Sequence, residues 1–470
     1  MSAPNIISGL FTDHYELTMA QGYLLSGKSD TRANFDYFFR SNPFKGGFVI
    51  FAGLETMLRA LEDFSFSDDD CKYLETVGFN SKFIEYLRNF KFNGNIFSVP
   101  EGEIVFANEP VMRIEGNIIE TQVIESLVLN YINFQSLIAT KAARMRMAAG
   151  PDRMLIDFGM RRAQGLGAIH ASRAAIIGGF DGSSNAYSAH NFGFESTGTM
   201  AHSWIQSFSS ELDAFREYAR LYPDSSILLV DTYDTLRHGV QNAITVAGEL
   251  EKEGHKLQGI RLDSGDLAYL SKQARKMLDN AGLDYVKIIV SNQLDEYLIK
   301  SLLDQKAPVD SFGVGTALVT GKGDGALDGV YKLTQVGEEP SMKVSENITK
   351  TTLPGLKNIY RYIDEENKFF ADGIELEGSA IPDRIYHPWQ PEKNCSVSGH
   401  KNEMIMKEAM VNGKAGDQET IDRIAAFSRN RLERVPDEMK RFENPHVYKA
   451  GIGKDLMELR NKLKDKIWKR

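Results

Sequence analysis

The stretch "STGTMAHSWIQSF" (196–208) surrounds His202 with Thr197, Gly198, Thr199, Ala201 and Ser203. Small and hydroxylated neighbours leave room around an imidazole, so His202 reads either as a satisfied core histidine or as a group that a reacting species can reach. "RLDSGDL" (261–267) sets Arg261, Asp263 and Asp266 within six residues. Arg261 offers a planar fork for a carboxylate or phosphate, and Asp263 can accept from vicinal sugar hydroxyls or hold Mg²⁺ through water. A helix start capped by Ser264 or Asp263, with Asp266 facing the dipole, is the plainer alternative. In "FGVGT" (312–316) the unobstructed backbone of Gly313 and Gly315 and the hydroxyl of Thr316 suit a phosphate cradle, or simply a turn. "DFGMRRAQG" (157–165) places Phe158 to stack on a flat ring while Arg161 neutralises an acid. No glycine-rich loop or catalytic-loop signature accompanies this "DFG", which removes a kinase reading. Tyr15, at the capped helix start "TDHYELTMAQGY" (12–23), is an ordinary surface tyrosine unless that helix end reaches a neighbour's site.

A metal-dependent hydrolase centre built from His170, His190, His202, Asp231 and Asp263 is a further candidate. The chain has no His-x-His and no His-x-x-x-His pair, so the common paired ligand spacings are missing and no tightly bound catalytic zinc is expected.

These residues need elements to position them. Short apolar runs at 153–159, 225–235, 257–266, 286–292 and 309–319 each end in polar residues, and all but the last lead into a stretch of helical period. Strands alternating with helices indicate βα units and a parallel sheet, and their number suits an irregular (β/α) barrel. The C-terminal strand ends of such sheets form the functional face. Residues 131–324 are therefore expected to be the barrel-like catalytic domain. The flanks alternate and carry Gly/Pro turns, as in "NIFSVPEGEIVFANEPVMRIEG" (95–116), so residues 1–130 completed by 325–380 are expected to form a second, mostly antiparallel α+β domain. Residues 381–470 are expected to be a C-terminal helical extension ending in a basic amphipathic, surface-packed helix.

With 470 residues, 42% of them hydrophobic and 25% charged, the chain has the composition of a soluble multidomain protein. Its net charge of −9 argues against general nucleic-acid binding. Seven basic residues between Lys141 and Arg173, against only Asp152 and Asp157, either focus field on a small anion or form a solvated helix face. "MSAPNIISGL" has no basic n-region and no apolar span reaches membrane length, so neither a secretory signal nor membrane association is expected. Two cysteines, Cys71 and Cys395, fit a reducing, cytoplasmic setting.

"TDHYELTMAQGYL", "DFGMRRAQG", "GGFDGSSN", "GTMAHSW", "LLVDTYDT", "IRLDSGDL", "FGVGT" and "KTTLPG" occur in the order seen in nicotinate phosphoribosyltransferases, which this sequence resembles from about residue 10 to beyond 390. The related nicotinamide enzyme shares the general plan, and quinolinate phosphoribosyltransferase is a more distant barrel relative. The resemblance implies an enzyme that joins nicotinate to 5-phosphoribosyl 1-diphosphate, giving nicotinate mononucleotide and diphosphate in NAD salvage by the Preiss-Handler route. ATP hydrolysis is coupled through a phosphohistidine, and His202 is the matching position. Tyr15 and Thr199 match nicotinate contacts, with Arg261 close to the same ligands, and Phe158 and Arg161 lie against the pyridine ring. Thr316 matches a phosphoribosyl-phosphate contact, in the glycine loop of Gly313 and Gly315, and Asp263 holds the ribose hydroxyls. Ser184 can donate to the nicotinate carboxylate, whereas the place of Asp181 stays open. Mg²⁺ accompanies ATP and 5-phosphoribosyl 1-diphosphate, with no tightly bound cofactor, and a homodimer shares its active sites, with Tyr15 coming from the partner. Nicotinamide as the base, zinc-dependent hydrolysis, or nucleotide sensing without catalysis are the competing readings.

Overall fold

The computed structural model describes residues 7–346 and 350–468. Residues 1–6, part of the opening stretch read for a leader, and residues 469–470 of the terminal basic helix lie outside them. The chain divides into two compact units, one of residues 138–325 with 420–425 and one of residues 1–137, 326–419 and 426–470.

The first unit is built on six parallel strands: β1 (Met154–Asp157), β2 (Gly182–Ser183), β3 (Ile227–Leu229), β4 (Gly259–Leu262), β5 (Lys287–Val290) and β6 (Ser311–Val314). Runs of Leu, Ile and Val buried on both faces make such strands, because helices cover the sheet. The sheet order is β2-β1-β6-β5-β4-β3. Each strand thus pairs with its cyclic neighbour, as in a barrel, except that no ladder joins β2 to β3 among the described residues. No hydrogen-bonded closure is present among the described residues, and the chain is a mixed α/β protein with one parallel sheet and separate antiparallel ones. β2 is the strand that sequence reading passes over, since Gly182 and Ser183 carry no apolar run; they pair with Ile156 and Asp157, and Ser183 also bridges to Ser196.

Register aligns the strand ends. Asp157 lies opposite Val314, and Val290 lies opposite both Leu262 and Phe312. Phe158, Asp263, Ser291 and Gly315, each immediately following its strand, therefore emerge from one edge of the sheet. The helices that return the chain are capped as their sequences dictate. Asp266 accepts from the Tyr269 N–H (3.0 Å) and Asp295 from the Leu298 N–H (2.9 Å). Asp266 is thus the cap of its helix, and Asp263 is left for other work.

In the second unit Arg32–Phe39 pairs antiparallel with Met112–Asn117 on one side and with Gly329–Val336 on the other, uniting residues about 300 apart in the chain. A second sheet contains Lys357–Ile363, Phe369–Leu376, Arg384–His387, Gln390–Ser396, Lys401–Met404 and Ala450–Ile452. Residues 381–470 are accordingly not a helical extension. Strands occupy much of 384–415, and α-helices come later, at Ile421–Glu433 and Lys454–Trp468, with a short 3-10 turn at Asp437–Met439. Gln390–Ser396 and Lys401–Met404 are exposed at nearly every position, so they lack the alternation by which a half-buried strand announces itself. The terminal helix packs on Phe369–Leu376, and Glu375 accepts from the Leu456 N–H at its start (2.7 Å). No helix among the described residues is long and apolar enough to cross a membrane.

Candidate active site

The end of β1 is set by Asp157. Its wholly buried carboxylate accepts from the Gly159 N–H, Ser172 Oγ and Ser183 Oγ, each at 2.7 Å. Burial pushes its pKa up while these three donors oppose the shift. Every donor comes from the protein, so Asp157 shapes the turn that follows and leaves ligands to others. That turn projects Phe158, whose ring rests on Gly313. A Cβ at Gly313 would stand 2.4 Å from ring carbons of Phe158, so glycine at this position makes room for the aromatic ring.

Arg261 is the half-exposed position in an otherwise buried β4. Its guanidinium carbon lies 5.9 Å from the Phe158 ring centroid, and Nη1 donates to Thr199 Oγ1. Its buried Nε has no hydrogen-bond partner among the described residues. Burial pulls the guanidinium pKa down, and Asp263 and Asp231 work against that. A buried N–H without an acceptor costs about 1–3 kcal/mol, and an incoming anion would recover it.

Phe158, Arg261 and Thr199 line one cavity of about 770 Å³, together with Arg161, Ser184, Asp263, Gly313, Gly315 and Thr316. Ser184 is held by its N–H, which donates to the Asp157 carbonyl (2.8 Å). Asp263 Oδ1 accepts from Ser291 Oγ, leaving Oδ2 for a ligand. Asp263 is the one carboxylate lining the cavity among the described residues, against Arg161, Arg162, Arg261 and Lys322. The basic segment read from the sequence therefore divides. Arg161 and Arg162 reach the cavity, whereas Lys141 and Arg144 are buried on Glu296 (2.7 and 2.9 Å). Asp181, whose place the sequence left open, pairs with Arg146 and accepts from the Leu155 N–H (2.7 Å), away from the cavity lining.

His202 begins the short helix His202–Gln206, and its side chain is 40% exposed. Its neighbours Thr199, Met200 and Ala201 line the cavity. Nε2 lies 3.3 Å from Asp231 Oδ1. The other oxygen of Asp231 accepts from the Asp263 N–H (2.9 Å) and from Ser264 Oγ (2.6 Å), so one carboxylate joins His202 to the loop after β4. As a carboxylate Asp231 only accepts, so the neutral ring carries its proton on Nε2 and keeps the lone pair on Nδ1. The sequence offered Asp231 as a candidate metal ligand beside His202, without giving it this role.

Arg162, Asn292, Gln293 and Lys322 also line the cavity; the sequence showed Arg162 in the basic segment and Asn292 at the end of an apolar run but assigned none of the four to the site. Asn292 and Gln293 had a signal only in their position after β5, and their positive φ values (88° and 35°) mark a turn built at some cost. Tyr15 belongs to the other unit, on the helix His14–Leu25, and does not line this cavity. Burial and then Glu125 hold its phenol well above the usual range, hence protonated. His170 and His190 do not line the cavity either.

A parallel α/β unit whose strand ends gather an aromatic face, a desolvated arginine and an excess of cations has a cavity whose lining suits small aromatic and phosphorylated anions. The nicotinate phosphoribosyltransferase family model matches residues 154–372, and the models of its N-terminal and C-terminal domains match residues 10–133 and 356–460. Nicotinate phosphoribosyltransferase of Bacillus subtilis is 41% identical over 463 residues, 95% of this chain and 93% of the relative. The Homo sapiens enzyme of that name is 31% identical, over 97% and 96% of the two chains. The crystal structure of human nicotinic acid phosphoribosyltransferase superposes with a TM-score of 0.87 at 29% identity, covering 96% of this chain and 99% of that one. A nicotinate-nucleotide pyrophosphorylase from Pyrococcus furiosus superposes with a TM-score of 0.71 at 25% identity, covering 91% and 95%. The chain belongs to the nicotinate phosphoribosyltransferase family.

Proposed function

We propose that this protein transfers the phosphoribosyl group of 5-phosphoribosyl 1-diphosphate to nicotinate, giving nicotinate mononucleotide and diphosphate. In this reading ATP hydrolysis drives the transfer through a phosphohistidine at His202, in the cytoplasm, on the Preiss-Handler route of NAD salvage. The observation that carries the proposal is Arg261 beside the Phe158 ring, with its Nε unpartnered in a cavity lined by one carboxylate. A flat aromatic acid meets all three features, and family membership supports the same ligand. An amide would leave the arginine's charge unanswered, which favours nicotinate over nicotinamide.

Phe158 and Arg161 flank the pyridine ring, while Arg261, steadied by Thr199, and the Ser184 hydroxyl orient the carboxylate. The pyridine nitrogen forms its bond to C1 as the C1–O bond to diphosphate breaks, and the departing electron pair leaves on diphosphate. Asp263 holds the ribose hydroxyls next to that developing positive charge, and Gly315 and Thr316 hold the 5-phosphate. A single available carboxylate fits Mg²⁺, which is usually bound through one or two carboxylates plus substrate phosphates. Asp263 would hold it through water, and the bound ion would neutralise phosphate charge. His202 Nδ1 attacks the γ-phosphorus of ATP as the bond to the bridging oxygen of ADP breaks, and the N–P bond later yields the phosphoryl group to water. Tyr15 completes the site across a homodimer, and the parallel sheet is read as a barrel interrupted at one seam.

The test is diphosphate release with Mg²⁺ and 5-phosphoribosyl 1-diphosphate, comparing nicotinate with nicotinamide, each with and without ATP. Nicotinate is expected to be the better base and ATP to accelerate turnover. Preference for nicotinamide, or activity that needs zinc and no phosphoribosyl donor, would overturn the reading.

A further inference from the structure

Lys322 lines the cavity from a loop bounded by two glycines in the left-handed region, Gly321 (φ 56°) and Gly323 (φ 119°). Its ammonium lies 3.0 Å from Asp295 Oδ2, and its side chain stays 61% exposed. Asp295 is fixed independently of this pair. Its Oδ1 accepts from the Leu298 N–H (2.9 Å) as the cap of Glu296–Asp304. The next residue, Glu296, is fully buried on Lys141 and Arg144. The lysine is therefore a flexible cation parked on a rigid carboxylate at the edge of a cavity rich in positive charge. An exposed ion pair is weak and screened by solvent, so a multiply charged phosphate chain competes for the ammonium easily.

We propose that Lys322 is a positioning residue for the diphosphate group of the phosphoribosyl donor, leaving Asp295 to pair with that group when it enters the cavity. This rests on the reading of the cavity as a phosphoribosyl-transfer site. The Asn292–Gln293 turn, one residue before Leu294 and two before Asp295, lines the same cavity and keeps the parked lysine close to it. With its four-carbon stem and point charge, lysine can follow a leaving group over a short path, whereas the guanidinium of Arg261 is held by Thr199.

The experiment compares wild-type protein with Lys322→Ala, Lys322→Arg and Asp295→Asn, which keeps a cap acceptor. Steady-state kinetics are run on both substrates, and inorganic diphosphate is titrated calorimetrically. Lys322→Ala is expected to raise KM for 5-phosphoribosyl 1-diphosphate and Kd for diphosphate about tenfold, the scale of one charge-assisted hydrogen bond. KM for nicotinate should stay within about twofold on the same scale. Lys322→Arg should recover most of the loss, and Asp295→Asn should bind diphosphate at least as tightly as wild type. Unchanged diphosphate binding in Lys322→Ala, an equal loss for nicotinate, or weakened binding in Asp295→Asn would each overturn the proposal. Wild-type protein that binds diphosphate but makes no nucleotide from nicotinate overturns the proposed function instead, and the calorimetric comparison still decides the role of Lys322.

Discussion

Replacing Asp231 by asparagine removes one charge and almost no volume, which isolates what the carboxylate does for His202. The two oxygens of Asp231 serve different partners. One accepts from the Asp263 N–H (2.9 Å) and Ser264 Oγ (2.6 Å), and the other faces His202 Nε2 at 3.3 Å. An asparagine has only one acceptor oxygen. If that oxygen keeps the bonds to 263 and 264, its NH₂ faces His202, Nε2 must accept, and the ring proton moves to Nδ1. The nucleophilic lone pair is then lost. The opposite orientation spares Nδ1 but sets the NH₂ against the Asp263 N–H, at a cost of about 2–3 kcal/mol for the lost bond and unpaired donor. Phosphorylation through this minor orientation should be slower by roughly 30- to 150-fold. The assay is the rate of base-stable, acid-labile incorporation from γ-labelled ATP, with His202→Ala as the blank. Incorporation at the wild-type rate in Asp231→Asn would refute the tautomer argument. So would a wild-type phosphohistidine shown by ³¹P–¹⁵N NMR to carry its phosphate on Nε2.

Three further outcomes follow from the geometry. Arg261→Lys keeps a charge but loses the planar fork and the bond to Thr199, so KM for nicotinate should rise by about 10- to 100-fold, with KM for 5-phosphoribosyl 1-diphosphate little changed. Gly313→Ala drives a Cβ to 2.4 Å from the Phe158 ring, so it should lower stability by about 1–3 kcal/mol and weaken nicotinate binding, read by thermal unfolding with and without nicotinate. Burial pushes the Glu16 carboxyl up to about 7, against the donors Ser126 and Thr12. The folded chain therefore holds a proton that the unfolded chain has released between about pH 4.5 and 7, and stability should fall as pH rises through that window. Glu16→Gln should flatten that slope in denaturant titrations at several pH values; an unchanged slope would assign it to other groups.

The legible part of the site was the part carried by strand ends. Phe158, Arg261, Asp263 and Thr316 stand at or just after short apolar runs, and a parallel sheet with aligned register brings such positions to one edge whatever their separation in sequence. Asn292 shared that strand-end position and Arg162 lay in the basic segment, yet Gln293 and Lys322 reached the cavity without a comparable signal, because a loop residue's direction depends on turns that no periodicity encodes. The exposed strands of 384–415 were hidden for a related reason. A strand with both faces in water has no apolar alternation to read.

The sequence by itself determined the alternation of strands and helices, the polar chemistry at their ends and the ordered motifs of the family. Tertiary structure alone decided what each of those polar groups serves. Asp157 and Asp263 both end an apolar run, yet Ser172 and Ser183 saturate the first from within the fold while the second keeps an oxygen for a ligand. Asp231 gained its hold on His202 in the same way, through partners supplied by a neighbouring loop. Spacing along the chain fixes where a side chain starts, but the donors and acceptors it meets come from residues far away, and those set its charge, its direction and its use.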